Sequence, residues 1–267
     1  MNEPSYSSQL DAEPELIHPN EASRPQFYIR LTPPTLTRVL LVANVVVFVG
    51  MIAYGYWALG TWNGTQDGRV LYFFGAKDNA AIDAGETWRL FTAMFIHIGP
   101  LHLLFNLYAL NALGPMVEGY FGHMRFAAIY LVAGLAGSVA SYWQTDVLSA
   151  GASGAIFGLA GAITVYFFKY RENFGVRGRA ILQNMLVIIG FNLVLGFSVP
   201  GIDNWGHIGG LVGGALMAIG LLPQYQRPGV FIVGRQAIEE QDRRLVEFVW
   251  VMIVLLLLWF AFQWAGQ

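Results

Sequence analysis

Seven stretches of about twenty residues, each dominated by Leu, Val, Ile, Ala, Phe and Gly, follow one another along this chain. They span residues 39–59, 101–120, 125–143, 153–168, 181–199, 204–222 and 246–264, and only the connections 60–100 and 223–245 are long. A lipid core offers no partner to an unpaired backbone group, so consecutive apolar stretches of this length must be helices that satisfy themselves. The predicted fold is therefore all-α, a polytopic membrane helix bundle. Charge agrees, since 12% of the residues are charged against roughly 25% in soluble domains.

Residues 1–38 are polar and proline-rich without helical or alternating periodicity, which predicts a disordered tail. The first apolar stretch starts near Val39, too far along for a cleavable leader, and is read as a retained span. The predicted organisation is a tail over 1–38, a six-span core over 39–222, a linker over 223–245 and a seventh span over 246–267. With the amino terminus cytoplasmic, the inner side collects Arg24, Arg30, Arg38, Arg125, Lys169, Arg171, Arg177, Arg179, Arg227, Arg235, Arg243 and Arg244. The outer side keeps Arg69, Lys77 and Arg89. The positive-inside rule then puts the tail and linker in the cytoplasm and the carboxyl terminus outside, with a bacterial plasma membrane as the expected location.

Polar groups inside spans are costly unless they face one another, so they mark the working interior. The second span carries His102 and Asn106 on one face, at i and i+4. The fourth opens on Gly151-Ala-Ser153-Gly154 with Phe157 and Gly158 following, and the sixth holds Gly206-His207 followed by Gly209, Gly210, Gly213 and Gly214. All three spans run inward, so His102, Asn106, Ser153 and His207 share a depth near the outer face. Gly154/Gly158 and Gly210/Gly214 are small-residue pairs that let helices approach closely, and a serine must come within about 3 Å of an imidazole to pass it a proton. The free N–H groups at the start of the fourth span suit a developing oxyanion. No acid accompanies His207 except Asp203 at the outer mouth of its span, which favours a Ser–His dyad over a triad.

These residues resemble the rhomboid family of intramembrane serine proteases. The likeness covers roughly residues 88–214: Trp88-Arg89, the run from His97 through His102 to Asn106, Glu118-Gly-Tyr-Phe-Gly122, the GxSGxxxG of 151–158, and His207 with Gly210 and Gly214. It implies a rhomboid-like six-helix core plus a seventh carboxyl-terminal transmembrane helix, with Ser153 as nucleophile and His207 as base. It also implies an oxyanion hole from His102, Asn106 and the Ser153 N–H, and structural roles for Trp88, Arg89 and Glu118. The implied activity is endopeptidase cleavage in or near transmembrane segments of membrane-protein substrates. The chain departs from the commonest family pattern at Gly206, where alanine is usual, and at Phe157, where tyrosine is frequent.

Composition trims the rivals. The absence of cysteine removes thiol nucleophiles and thiolate metal sites, no HExxH stands in the chain, and no paired aspartates occupy span centres. No metal or cofactor is expected, and a net charge of −2 gives no reason to expect nucleic acid. A transporter would need broken helices in an internal repeat, which are absent from the pattern. The alternative of the same fold is a catalytically weak rhomboid-like protein that binds membrane clients. Taken singly, Ser153 reads as a packing residue and His207 as an interhelical hydrogen-bonder; their conjunction favours chemistry. His97 reads as a structural hydrogen-bonder, His123 as solvated, Asn184 and Asn192 as interhelical or cavity-facing contacts, and the seventh span as peripheral. The sequence leaves the oligomeric state open.

Overall fold

The computed structural model describes residues 26–226, 229 and 235–265. Most of the predicted tail, with His18 and Arg24, lies outside the described residues, as does Arg227 of the linker. Seven long helices are present among the described residues: α1 (Thr35–Leu59), α2 (Pro100–Phe121), α3 (His123–Gln144), α4 (Ser153–Tyr170), α5 (Gly175–Ser198), α6 (Asn204–Leu221) and α7 (Arg244–Ala265). They belong to the unit formed by Leu31–Pro223 and Asp242–Gln267. The other unit holds two small sheets, with β1 (Gln26–Tyr28) parallel to β3 (Arg235–Ala237) and β2 (Tyr225–Gln226) antiparallel to β4 (Glu239–Glu240). The stretch up to Arg38, expected to lack regular structure, thus contains a strand and the first turn of α1. Three residues are too few to carry an alternating pattern, and α1 starts early for a reason distant in sequence, given below.

Five helices, α1, α3, α4, α5 and α7, are long and apolar enough to cross a membrane, and six spans result if the bent pair Arg89–Phe95 and α2 counts as one. That pair bends by 88° at His97–Gly99, where Gly99 adopts φ 79° and Pro100 opens the new helix. Helix α6 falls short of the expected seventh because glycines, Asn204 and His207 dilute its apolar side chains. Those same glycines build the centre of the bundle.

On α6 the two overlapping glycine pairs face two different neighbours. A methyl group on Gly210 would stand 2.0 Å from the Gly154 carbonyl oxygen of α4, and one on Gly214 would stand 2.1 Å from that of Gly158. On the adjoining face, Gly209 and Gly213 meet Ala140 and Ala136 of α3, where added methyls would come within 2.4 and 2.6 Å of the alanine Cβ atoms. Gly158 in turn leaves room for Ala133 of α3. Three helices therefore meet backbone to backbone, the contact that van der Waals packing in lipid rewards.

The peripheral helices attach differently. Helix α7 lays the Trp250 indole on Gly220, donates its Nε1–H to the Leu216 carbonyl at 3.0 Å, and pairs Glu247 with Arg125 at 2.7 Å. Helix α5 keeps Leu186, Val187, Phe191, Val194 and Phe197 exposed, as apolar side chains facing lipid are. Of the two roles expected for Asn184 and Asn192, interhelical or cavity-facing, the exposure of both residues disfavours the first, and Asn192 donates to the Ile188 carbonyl of its own helix at 2.8 Å. The α5–α6 contact is made instead by Asn204, whose Nδ2–H donates to the Leu193 carbonyl at 2.9 Å beside Gly196.

This packing predicts a contrast. Replacing Gly214 with alanine forces a methyl into the Gly158 backbone and should cost about 1–3 kcal/mol of stability. Replacing Gly190 of α5, where a methyl meets nothing within 4 Å, should stay within about 0.5 kcal/mol of wild type. Thermal unfolding of the purified protein in detergent checks both; equal effects would count against the glycine interface.

Candidate active site

Ser153 is the first residue of α4 and His207 lies in the first turn of α6. Because the glycine faces draw the two helix starts together, the His207 Nε2 stands 2.9 Å from the Ser153 Oγ. With the hydroxyl donating, Nε2 is the acceptor, and the ring proton sits on Nδ1. Phe157, one turn below Ser153, stacks on the His207 ring with centroids 4.3 Å apart and an interplanar angle of 11°. The Nδ1 is buried and meets no hydrogen-bond partner among the described residues. Among the described residues, no carboxylate bonds to this imidazole.

Asp203 is close but otherwise engaged. It is the N-cap of α6, accepting from the Gly206 N–H at 2.9 Å, and its other carboxylate oxygen accepts from the Ser149 hydroxyl at 2.5 Å. A methyl on Gly206 would stand 2.9 Å from that carboxylate. The departure from alanine at this position therefore has a physical reason: the space belongs to Asp203.

His102 approaches from α2. Its Nδ1 accepts from the Ile98 N–H at 3.3 Å, which puts the ring proton on Nε2 and makes that atom a donor. A methyl built on Gly151 would lie 2.7 Å from His102 Nε2 and 3.7 Å from Ser153 Oγ, so both border one small space that only a glycine leaves open. Gly151 also has φ 137°, a region L side chains rarely adopt. Asn106 is buried on the same face of α2, and one amide N–H donates to the His102 carbonyl at 2.9 Å, leaving the second N–H. His97 is fully buried and packs edge-on against His102, ring centroids 5.3 Å apart. Gly154 and Gly210 line the α4–α6 contact directly below the dyad. Among the described residues, no three His, Asp or Glu side chains are grouped to hold a metal ion.

Other anticipated residues lie apart from this cluster. Arg89 is buried in the external loop, donating to Glu86 at 2.7 Å and to the Tyr72 and Ala76 carbonyls at 2.7 and 3.2 Å, with its guanidinium 3.9 Å from the Tyr72 ring centroid and 4.8 Å from that of Trp88. Trp88 covers Gly75. Glu118 stands sixteen residues after His102 on α2, roughly 24 Å along the axis, and so belongs to the far end of the bundle rather than to the site. There it accepts from the Leu36 N–H, the Thr37 N–H and the Thr37 hydroxyl at 2.8, 2.8 and 2.7 Å. It thus caps α1, whose own N-cap, Pro34, offers no side-chain bond. This tertiary cap is why α1 begins at Thr35. His123, expected to be solvated, is half-exposed and also sets its Nδ1 2.6 Å from Glu118 Oε1.

Lys77 was assigned only to the outer loop by sequence, yet it is buried. Its Nζ donates to the carbonyls of Ser141, Thr145 and Val147 at 3.4, 2.6 and 3.1 Å, closing the end of α3. Burial lowers its pKa from the ordinary lysine value, against the opposing pull of Asp203, Asp146 and Asp78.

The bundle and the clustered serine and histidine define a class of intramembrane protein for which similarity to known proteins provides a separate line of argument. The Rhomboid domain family model matches residues 84–224. The chain is 44% identical over 190 residues to the rhomboid protease GluP of Bacillus subtilis (strain 168), covering 70% of this chain and 35% of that protein. It is 42% identical over 144 residues to RHOMBOID-like protein 7 of Arabidopsis thaliana, covering 53% and 45% of the two chains. The match thus spans less than half the length of these relatives. The chain belongs to the rhomboid family, and it is a multi-pass integral membrane protein.

The cap on α1 yields a prediction. Glu118→Ala strands three donors, two of them buried, and should cost about 2–5 kcal/mol, whereas His123→Ala, at a half-exposed partner, should cost about 1 kcal/mol or less. Thermal unfolding of the two variants compares them; a smaller loss for Glu118→Ala would contradict the capping role.

Proposed function

We propose that this protein is an intramembrane serine endopeptidase that cleaves peptide bonds in or near transmembrane segments of membrane-protein substrates. The 2.9 Å contact between Ser153 Oγ and His207 Nε2 carries this reading. Ser153 adds through its oxygen to the substrate carbonyl carbon while His207 Nε2 takes the hydroxyl proton. The resulting oxyanion is stabilised by the Ser153 N–H at the start of α4, the Nε2–H of His102 and the free amide N–H of Asn106. As the C–N bond breaks, His207 returns its proton to the leaving amine. Water then attacks the acyl-enzyme with His207 again as base, releasing the new carboxyl end and the free serine.

Two features support this reading beyond the distance. The Ile98 bond to His102 Nδ1 leaves a donor, not an acceptor, aimed at the space beside Gly151. Phe157 holds the base ring flat against itself, so the imidazole is oriented without a third polar group. A non-catalytic client binder needs neither the tautomer nor the stacking.

Cleavage of a model transmembrane substrate by purified protein in proteoliposomes tests the proposal. Ser153→Ala and His207→Ala should each reduce turnover by about 10³-fold or more, and Asn106→Ala by roughly 10²-fold. Full activity in either dyad variant would overturn it.

The proposed orientation has the amino terminus in the cytoplasm and the site near the outer face, on the strength of the basic residues flanking α4 and α5, Lys169, Arg171, Arg177 and Arg179. The chain has no cysteine, so single introduced cysteines report cleanly. A cysteine at Asn173 should react with an impermeant maleimide only from the cytoplasmic side, and one at Trp62 only from outside. The reverse pattern would invert the topology.

A further inference from the structure

A serine and a histidine on separate helices stay within proton-transfer distance only if something fixes one helix start against the other. In this dyad the usual device, an acid on the imidazole Nδ1, is missing among the described residues. Below the site the glycine contacts hold α4 to α6. Above it, residues 149–151 leading into Ser153 are non-helical, with Ala152 turning into α4, and this backbone is held by partners outside its own segment.

Ser149 is gripped on two sides. Its backbone pairs with Lys77 of the external loop, through Lys77 N–H to Ser149 O at 2.8 Å and Ser149 N–H to Lys77 O at 3.0 Å. Its hydroxyl donates to Asp203 at 2.5 Å. Two residues on, Gly151 N–H donates to the Ala93 carbonyl at 2.9 Å, so the external loop lines this segment up to the serine. Asp203 spends its second carboxylate oxygen on the Gly206 N–H, next to His207, and its carbonyl accepts the His207 N–H at 3.2 Å. One carboxylate thus ties the strand that ends in the nucleophile to the helix turn that carries the base. The side-chain-free Gly206 leaves the space this requires.

We propose that Ser149 and Asp203 form a positioning pair that sets the Ser153–His207 distance from the outer side, replacing the orienting acid of a triad with a clamp between helix starts. Neither residue contacts the reacting atoms. The proposal rests on the Ser153–His207 reading above. Its chemistry needs only the hydroxyl at 149 and an acceptor at 203, so loss of the hydroxyl alone should loosen the dyad while leaving the α6 cap in place. A misplaced reacting group of about 1 Å lowers turnover without weakening substrate binding.

The test is steady-state cleavage of a model transmembrane substrate in proteoliposomes by the full chain, with kcat and KM separated and each variant's folded fraction measured by thermal unfolding. Ser149→Ala should lower kcat per folded enzyme by roughly tenfold to a hundredfold with KM within about twofold of wild type. Ser149→Thr, which keeps the hydroxyl, should recover most of that loss. Asp203→Ala, which also removes the α6 cap, should lower kcat at least as much as Ser149→Ala, and the double variant should be no worse than Asp203→Ala, since both remove the same link. Wild-type kcat in Ser149→Ala, additive losses in the double variant, no recovery with threonine, or an effect confined to KM or to the folded fraction would each overturn the clamp. Ser153→Ala run alongside separates the two claims. If it is inactive and Ser149→Ala is normal, only the clamp fails; if it remains active, the dyad reading fails as well.

Discussion

The approach of α4 and α6 at glycine is the contact on which the rest of this molecule depends. With methyl groups excluded at Gly154, Gly158, Gly210 and Gly214, the two backbones come close enough for carbonyl oxygens to occupy the space where side chains would stand. In lipid there is no hydrophobic gain from bringing apolar helices together, so close backbone packing must supply the association. The functional consequence is geometric. Two helices packed this closely bring their first turns together, and those turns carry Ser153 and His207. The second glycine pair of α6 seats α3 on its other side, so the helix that carries His207 is held along two faces. The less tightly held α5 and α7 surround this three-helix centre.

Long-range polar contacts close helix ends. Glu118 caps α1 from α2, Lys77 closes the end of α3 from the 60–100 connection, and Asp203 caps α6 while reaching Ser149. Each satisfies backbone groups that a helix end leaves unpaired, a need that is acute where water is scarce. Arg89 does the same for the 60–100 connection, using carbonyls of residues 72 and 76. Through Lys77 and Ala93 that connection bonds to the segment running into Ser153.

How much of this is legible in sequence follows the range of each interaction. Helix content, the i and i+4 pairing of His102 with Asn106, and the glycine pairs after Ser153 and His207 are local patterns with a fixed period, and the structure contains all of them. The count of apolar spans is blurred because α6 serves packing with the same glycines that reduce its hydropathy. Interactions across tens of residues carry no periodic mark. Glu118 with Leu36 and Thr37, Lys77 with the end of α3, and Ser149 with Asp203 all belong to this group. A hint existed at Gly206, where the loss of a methyl beside Asp203 is a spatial fact written as a single-residue departure. For Asn184 and Asn192 the sequence left an interhelical and a cavity-facing role open, and only the exposure of both residues weighs against the first.

On the proposed reading, Ser153 is nucleophilic because the glycine packing of α4 and α6, together with the Ser149–Asp203 link, brings His207 to it. A fluorophosphonate applied to membranes containing the protein, followed by peptide mass spectrometry, reads this without any knowledge of the substrate. The account predicts one phosphonylated residue, Ser153, and loss of that adduct when His207 is replaced by alanine. An adduct on another residue, or equal labelling of Ser153 without His207, would contradict it.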